Sequence, residues 1–281
     1  MPTAIYIDVS PVAFTIGSFT IGWYGIMVAL AVLTVISWAL YSAKREPNIT
    51  SDNVINAALI GIPSGVIFAR LLHVIDYWDH FMANPGKIIG GEGLTIYGAV
   101  LGAAIGVWIY SRISKKSFGR MADLLAPGII LSQAVGRVGC VLNGCCHGVA
   151  TDLPWAFVYT HPFSDAAIGI AVHPVPVYEI IFNVLVFAGL LMLRGRLKPA
   201  GSLFMVYLAV YGAWRLGIDF IREGRELLFG LHEAQLIGII VIIFCTVIFI
   251  VRRTRWVGKG EGPEEAEPAP ELSTADTGDT D

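Results

Sequence analysis

The sequence predicts an all-α membrane protein that crosses the bilayer seven times. Hydrophobic residues make up 55% of its 281 residues and charged residues only 15%, whereas soluble domains are about 25% charged. Seven apolar stretches each approach the length of a membrane-spanning helix, and Lys and Arg are distributed unequally between the two sets of loops. Such a chain satisfies its backbone hydrogen bonds inside helices, and its apolar spans leave no room for a separate soluble domain.

The apolar stretches predict the positions of the spans to within a few residues at each end. They are 21–43, 54–77, 94–112, 122–142, 174–193, 201–221 and 234–251. The second and fourth are the weakest because they contain polar residues, among them Arg70, Gln133 and Arg137. We expect residues 1–257 to form one membrane domain. Residues 258–281 are rich in Pro, Glu, Asp and Thr and are expected to form a disordered acidic tail.

The cations of the loops predict the orientation of the spans. Thirteen lie on the side of the C-terminal tail, and three lie on the other side, namely Lys87, Arg222 and Arg225. Cytoplasmic loops carry the excess of positive charge, so the N-terminus is expected outside and the tail in the cytoplasm. The loop 144–172 has no Lys or Arg and contains Trp155, which predicts a small cap at the outer surface after the fourth helix.

Three arginines remain, and all of them lie within apolar spans: Arg70, Arg137 and Arg215. A charged side chain at the centre of a membrane helix costs about 2.5–3.5 kcal/mol on insertion. Such residues normally face a cavity, an acidic partner or an anionic ligand. Three of them in one small protein are difficult to explain by packing alone, and they indicate a bound anion.

The fourth span has a polar face near its end. Gln133, Arg137 and Cys140 are spaced by four and three residues, which places them on one side of a helix. The span then ends in a Gly-rich segment from Asn143 to Gly148, where the backbone can leave the helix and expose its N–H groups.

Three of the four cysteines, Cys140, Cys145 and Cys146, lie together at this end, followed by His147. They are free side chains, a disulfide or a metal site. The spacing is not the Cys-x2-Cys pairing typical of structural zinc, and adjacent cysteines rarely bind the same ion. We therefore expect no metal, and a disulfide from Cys140 to Cys145 or Cys146 is favoured. The fourth cysteine, Cys245, lies in the seventh span and is interpreted as a small hydrophobic residue without a special role.

The fifth and sixth spans contain candidate partners for the arginines. Tyr211, Arg215 and Asp219 follow one another at intervals of four residues, with Arg222 three residues further on. Asp219 either neutralises Arg215 within the membrane or orients it toward an anion. Glu179, near the start of the fifth span, is either the charge partner of an intramembrane arginine or a catalytic group.

The third span contains Tyr97 near its start, followed by Gly98, Gly102 and Gly106 at intervals of four residues. Small residues at this spacing are typical of close packing between membrane helices. Tyr97 is either an anchor at the membrane surface or a phenol beside a reacting group.

Five blocks of residues, in the same order along the chain, resemble the prolipoprotein diacylglyceryl transferase family. They are Trp23-Tyr24-Gly25, Gly93 to Gly98, Gly136 to Gly139 with Asn143-Gly144 and Gly148, His173-Pro174 with Tyr178-Glu179, and Tyr211-Gly212 with Arg215 through Arg222-Glu223. The resemblance covers about residues 10–250. The family has seven helices with the N-terminus outside, as the loop cations predict here.

The resemblance implies transfer of a diacylglyceryl group from phosphatidylglycerol to the lipobox cysteine of a prolipoprotein, with release of glycerol 1-phosphate. It implies a multi-pass protein of the bacterial plasma (inner) membrane whose partners are phosphatidylglycerol and prolipoprotein lipobox peptides, without cofactor, metal or nucleic acid. Arg137 and Arg215 would hold the lipid phosphate, and Tyr97 is the third catalytic candidate. The substrate-binding candidates are Tyr24, Arg70, Gly98, Gln133, Gly139, Cys140, Asn143, Gly148, Glu179, Tyr211 and Asp219.

This sequence departs from the family pattern at several of these positions. Tyr97 stands where His is usual, and a phenol with a pKa of about 10 is a poor base at neutral pH. Cys140 and Cys145 replace Asn and Glu, and Asp219 stands where Glu is usual. Two alternatives to the transferase therefore remain. One is a divergent homologue that uses a phospholipid donor with another acceptor, and the other is a lipid-binding or transport protein without catalysis.

Overall fold

In a computed structural model of the protein, seven long helices account for the seven predicted spans. The structure describes residues 4–88, 93–222, 226–228 and 231–258. The helices are α1 (Trp23–Ala43), α2 (Ser51–Asp76), α3 (Trp78–Ala83), α4 (Ile96–Ile113), α5 (Phe118–Asn143), α6 (Val175–Leu193), α7 (Ser202–Ile218) and α8 (Glu233–Gly258). All except the short α3 are long and apolar enough to cross a membrane, so the predicted seven-span fold class is confirmed.

Some helices begin or end at other residues than predicted, and at α2 the reason is a polar cap. The second span starts earlier than predicted, at Ser51, because it is preceded by a capping box. The Thr50 hydroxyl accepts a hydrogen bond from the Asn53 N–H (3.3 Å), and the Asn53 side chain accepts one from the Thr50 N–H (3.0 Å). The last helix continues to Gly258. The predicted tail beyond it, 259–281, lies outside the described residues and stays a prediction.

The helices α2 and α4 pack closely through the glycines of the third span. Gly98, Gly102 and Gly106 are buried, and a methyl group added at any of them would collide with α2, chiefly at Phe68 and Ser64. The packing interpretation of this glycine stripe is therefore confirmed. Gly98, a substrate-binding candidate, has the same structural explanation as the other two.

The helix α5 lies at the centre of the other helices and contacts α1, α6 and α7. The Trp38 indole N–H of α1 donates to the carbonyl oxygen of Leu124 (3.1 Å). The Asp123 carboxylate accepts hydrogen bonds from the N–H groups of Gly201 (2.6 Å) and Phe204 (2.8 Å) at the start of α7. A carboxylate at the start of a helix caps its N–H groups and interacts favourably with the positive end of the helix dipole. These hydrogen bonds therefore hold α7 to α5.

Short strands occupy parts of the chain between the spans. They are β1 (Ile5–Ile7), β2 (Val12–Ile16), β3 (Phe19–Gly22), β4 (Phe157–Tyr159), β5 (Ala171–Val172), β6 (Glu226–Leu228) and β7 (Leu231–His232). The strand β4 pairs in parallel with β1 and antiparallel with β5, and β2–β3 and β6–β7 are hairpins. The loop 144–172 thus has regular structure and is joined to the N-terminal segment.

Most of the predicted site residues lie toward one end of the helix bundle. The Thr95 hydroxyl, just before α4, donates to the Asp76 carboxylate at the end of α2 (3.1 Å). Gly148, after α5, forms a β-bridge with Arg222, after α7. Because successive spans cross in alternating directions, both contacts belong to the same end. We call it the Gly144 end, after the residue that terminates α5.

Candidate active site

A buried carboxylate at the Gly144 end is shared by three arginines. The Glu179 side chain, in the first turns of α6, is 2% exposed. Its Oε2 forms an ion pair with Nε of Arg137 from α5. Its Oε1 lies 3.2 Å from Nη1 of Arg215 on α7 and 3.5 Å from Nη1 of Arg222. Three separate segments of the chain therefore meet at one acidic side chain.

A second carboxylate supports one of these arginines from the other side. Nη2 of Arg215 lies 3.4 Å from Oδ1 of Asp219, one helical turn further along the chain. Oδ2 of Asp219 lies 3.0 Å from Nδ1 of His232, just before α8. Asp219 is buried, and it fixes the orientation of the Arg215 guanidinium. The ion pair agrees with both interpretations of the Arg215–Asp219 spacing, and the orientation of Arg215 toward an anion stays a prediction.

The cluster has a net positive charge among the described residues. Three guanidinium groups face the two carboxylates of Glu179 and Asp219. The carboxylate of Glu179 is almost fully buried, whereas the arginine side chains remain 15–20% exposed. Each guanidinium has more N–H donors than its described carboxylate contacts use. Among the described residues, these remaining donors and the excess positive charge are suited to binding a phosphate on the exposed side.

The segment after α5 determines the position of Arg222. The N–H of Gly148 donates to the His173 carbonyl oxygen, and the N–H of Val149 donates to the Ile221 carbonyl oxygen, both at 2.9 Å. A methyl group added at Gly148 would collide with the same Ile221 oxygen. Gly148, a substrate-binding candidate, therefore allows close backbone contact and thereby places Arg222 in the cluster.

Arg222 and His232 were not among the residues predicted for the site. Arg222 was counted as a loop cation because it follows the end of the sixth span. A 3₁₀ turn at Asp219–Ile221 directs it back onto Glu179. The spacing of three residues from Asp219 was a signal that could have included it. His232 carried no comparable signal, since its contact to Asp219 depends on how the chain returns after α7.

Polar side chains continue one turn deeper into the bundle. The Gln133 amide donates to the Tyr207 hydroxyl (3.0 Å), and the Tyr207 ring stacks with Tyr211, with ring centroids 6.1 Å apart. The predicted polar face of α5 thus meets the predicted stripe of α7. Within the described part of the chain, the buried Gln133 Oε1 and Asn183 Oδ1 have no hydrogen-bond partner. Unpaired buried amides next to a charged cluster are suited to a polar ligand.

The end of α5 is attached to the following loop by Asn143. Its side-chain amide donates to the Asp165 carboxylate, and its carbonyl oxygen accepts from the Asp165 N–H (3.1 Å). Gly144 then adopts the left-handed conformation (φ 75°) that ends the helix. Asn143 was predicted to bind substrate, and the structure gives its amide a partner within the protein.

The predicted disulfide is not formed. All four cysteines are free, and the sulfur atoms of Cys140, Cys145 and Cys146 lie within 4.8 Å of one another. Nη1 of Arg137 donates to Sγ of Cys140 (3.7 Å), so the thiol cluster adjoins the arginine cluster. Hydrogen bonding to Cys140 and Cys145 lowers the pKa of the Cys146 thiol. The same network raises the pKa of Cys145.

Two candidates from the predicted set lie where α1 meets α5. A methyl group added at Gly139 would press on Met27 and on the backbone of Tyr24, so this glycine permits close contact between the two helices. The Tyr24 side chain is 46% exposed in the first turn of α1. Gly139 therefore has a packing role, and it brings Tyr24 beside the end of α5.

The remaining two candidates lie on the α2–α4 side of the Gly144 end. Arg70 donates from Nε to the Ile88 carbonyl oxygen and from Nη1 to the Gly93 carbonyl oxygen, both at 3.0 Å, and from Nη2 to that of Lys87. The described hydrogen bonds of Arg70 therefore hold a loop. Tyr97 lies in the first turn of α4 with its side chain 39% exposed, and its catalytic role stays a proposal.

The fold and the cluster define the class of protein: a multi-pass membrane protein with a buried site at one end of its helices that is net positive among the described residues. A family model described as prolipoprotein diacylglyceryl transferase matches residues 11–251. A relative from Dehalococcoides mccartyi, named phosphatidylglycerol–prolipoprotein diacylglyceryl transferase, is 48% identical over 249 residues, which cover 89% of this chain and 96% of the relative.

Relatives of the same name from Clostridioides difficile and Trichormus variabilis are each 36% identical to this chain. The alignments cover 83% and 84% of this chain and 91% and 86% of the respective relatives. The chain therefore belongs to the prolipoprotein diacylglyceryl transferase family, which confirms the resemblance found in its sequence.

Proposed function

We propose that the protein transfers a diacylglyceryl group from phosphatidylglycerol to the lipobox cysteine of prolipoproteins and so acts in lipoprotein maturation. The observation that supports this function most directly is the convergence of Arg137, Arg215 and Arg222 on the buried Glu179. This arrangement presents cations toward an anionic ligand and keeps the balancing carboxylate behind them. The names of the relatives, which cover 83–89% of the chain, support the same activity.

The chemistry of this transfer needs positive charge at the departing phosphate. The acceptor thiol releases its proton to solvent and its sulfur attacks the glyceryl carbon, so that a sulfur–carbon bond forms and the carbon–oxygen bond to the phosphate breaks. The electron pair of that bond stays on the phosphate oxygen, so glycerol 1-phosphate leaves with increased negative charge. Guanidinium groups that are already held in place by Glu179 and Asp219 stabilise this charge without reorganising during the reaction.

The proposed location is the plasma membrane of a bacterium, with the N-terminus and the Gly144 end outside and the C-terminus in the cytoplasm. The excess of Lys and Arg on the side of the C-terminal tail supports this orientation. A reporter fused to the C-terminus should be active only in the cytoplasm. Activity of that fusion only outside the cytoplasm would reverse the proposed orientation.

The activity is tested with the purified full-length protein in vesicles of phosphatidylglycerol and phosphatidylcholine. A synthetic lipobox peptide is added, and mass spectrometry measures the gain of a diacylglyceryl group on its cysteine. A peptide with Ser in place of that cysteine is the matched control. A product that also requires phosphatidylglycerol supports the proposal. Binding of phosphatidylglycerol without product would favour a lipid-binding protein instead.

Complementation in cells provides an independent measurement. The protein should restore growth and lipoprotein processing to a bacterium depleted of its own transferase, and processing should be slower with the Arg137→Lys variant. Equal rates of lipoprotein processing with both would contradict a direct contact between Arg137 and the lipid phosphate.

A further inference from the structure

The cluster of three thiols beside Arg137 has no role in the transfer described above. Cys140 is buried in the last turn of α5, and Cys145 and Cys146 are partly exposed just beyond it. Their three sulfur atoms lie within 4.8 Å of one another. The fourth cysteine, Cys245, is buried in α8 and is not part of this group.

The backbone explains how two adjacent cysteines face the same point. Gly144 has a φ of 75° and Cys146 a φ of 60°, so the chain makes two left-handed steps within three residues. The Cys145 N–H donates to the Cys140 carbonyl oxygen (3.2 Å), which turns the segment back onto the end of α5. The sequence argument against a shared ion assumed an ordinary backbone, in which neighbouring side chains diverge. Cys146 has a positive φ, so the backbone here is not ordinary and its side chain can face the same point as that of Cys145.

The sulfur atoms are separated by at most 4.8 Å, which is compatible with a tetrahedral metal site. Zinc–sulfur bonds are about 2.3 Å long, so three thiolates on one Zn²⁺ lie about 3.8 Å apart. Small side-chain rotations bring atoms within 4.8 Å to that distance. Three thiolates on a dication leave one negative charge, and the Arg137 guanidinium, 3.7 Å from the Cys140 sulfur, offsets it.

We propose that Cys140, Cys145 and Cys146 bind Zn²⁺ through three thiolates and leave the fourth coordination position to the acceptor cysteine of the prolipoprotein. Thiolates select zinc and similar soft cations, and zinc sites with three protein ligands and one open position are typical of catalysis. Among the described residues, the group contains three ligands, and two of them are partly exposed. The inference rests on the proposed function, because that function supplies the thiol substrate.

The site supplies a thiolate nucleophile without a protein base. The acceptor thiol replaces a water on Zn²⁺ and releases its proton to solvent, since a thiol bound to zinc is deprotonated. Its sulfur then attacks the glyceryl carbon. The carbon–oxygen electron pair passes to the phosphate oxygen at the arginine cluster, and the thioether leaves Zn²⁺, whose oxidation state is unchanged. Arg137 lies one turn from Cys140, so the nucleophile and the departing phosphate occupy neighbouring positions.

Metal binding is tested on the full-length protein in detergent after removal of metal with a chelator and a reductant. Added Co²⁺ should bind at about one equivalent per chain, with sulfur-to-cobalt charge-transfer bands and the visible bands of a tetrahedral ion. These bands should be lost in Cys146→Ser and kept in the matched control Cys245→Ser. Bands that are absent from the unchanged protein, or that survive Cys146→Ser, would overturn the inference.

A second variant tests whether the loss follows from misfolding. Cys140→Asn combined with Cys145→Glu restores the residues usual in the family, and we expect this protein to fold. It should bind no Co²⁺, and its transfer activity should not respond to a chelator. The unchanged protein should lose most of its activity on chelation and regain it with Zn²⁺. Co²⁺ bands in the double variant would contradict the assigned ligands.

The open position is tested by adding the lipobox peptide to the Co²⁺ protein. The bands should shift with the cysteine peptide and not with its Ser counterpart. If Co²⁺ binds but its bands do not shift with the cysteine peptide, the acceptor cysteine does not coordinate the metal. Transfer from phosphatidylglycerol by the unchanged protein, when that protein carries no metal, would overturn this inference and leave the proposed function intact. A shift without any transfer would instead contradict the proposed function.

Discussion

Arginine enters the membrane-spanning part of this protein in two different settings, both toward the Gly144 end. On α2, Arg70 directs its described hydrogen bonds to the carbonyl oxygens of Lys87, Ile88 and Gly93, and its guanidinium lies over the Phe81 ring (5.1 Å). In the cluster of α5, α6 and α7, three arginines share one carboxylate. The first setting holds a loop against a helix, whereas the second concentrates positive charge at one point.

The difference shows what makes a buried cation available to a ligand. Carbonyl oxygens of the backbone occupy the donors of Arg70 in fixed directions. In the cluster, Glu179 and Asp219 neutralise two of the three charges among the described residues and leave donors on the exposed side. Carboxylates that are shared hold the guanidinium groups in place without using all of their hydrogen-bonding capacity.

The largest effect is expected from Glu179→Gln. This change keeps the shape of the side chain and removes the charge that three arginines share, and breaking a buried ion pair from one side costs about 3–5 kcal/mol. We expect transfer to fall by at least about 100-fold, with a lower melting temperature in detergent. Asp76→Asn in α2, which keeps its contact to Thr95, is the control and should stay within about fivefold. Near-normal transfer by Glu179→Gln would separate the cluster from catalysis.

Sequence alone predicted the spans because each is a continuous apolar stretch of the required length. It grouped Arg70 with Arg137 because both interrupt such stretches. It could not show that the Arg70 donors meet carbonyl oxygens up to 23 residues away along the chain. It noted Arg222 three residues beyond Asp219 but counted it as a loop cation, because the 3₁₀ turn that directs it onto Glu179 has no strong sequence signal. The disulfide was favoured because the three cysteines lie together at the predicted outer surface, and the adjacency of Cys145 and Cys146 counted against a metal. Their actual arrangement depends on the backbone angle of Cys146.

A second effect, somewhat smaller, compares the two settings directly. Arg137→Lys keeps the charge and loses the planar fork that binds phosphate and carboxylate, so we expect transfer to fall about 10- to 100-fold. Arg70→Lys should lower the melting temperature, since it loses bonds to the loop, while transfer per folded molecule stays within about threefold. Both are measured with the same vesicles and lipobox peptide. An equal loss of transfer in the two variants would place Arg70 at the reaction as well.

A third effect concerns the residue that sequence reasoning assigned to a loop. Arg222 has the longest contact to Glu179 of the three arginines, 3.5 Å. Arg222→Gln should therefore reduce transfer by about 3- to 10-fold, mainly through a higher KM for phosphatidylglycerol, because one of three cations at the phosphate is lost. The measurement varies the fraction of phosphatidylglycerol in the vesicles. If the KM for phosphatidylglycerol equals that of the unchanged protein, Arg222 does not contribute to binding of the lipid phosphate.

The smallest effect on transfer is expected from Gly102→Ala, which lies in the close contact between α2 and α4, on the same side of the protein as Arg70. A methyl group there would collide with the Phe68 side chain and the Ser64 carbonyl oxygen of α2, and such overpacking costs about 1–3 kcal/mol. The melting temperature should fall, while transfer per folded molecule stays within about twofold. Gly189→Ala on α6 is the matched control, because no atom lies within 4 Å of the added methyl group. A loss of transfer without a loss of stability would show that the spacing of α2 and α4 controls the arginine cluster, so that the two regions are coupled after all.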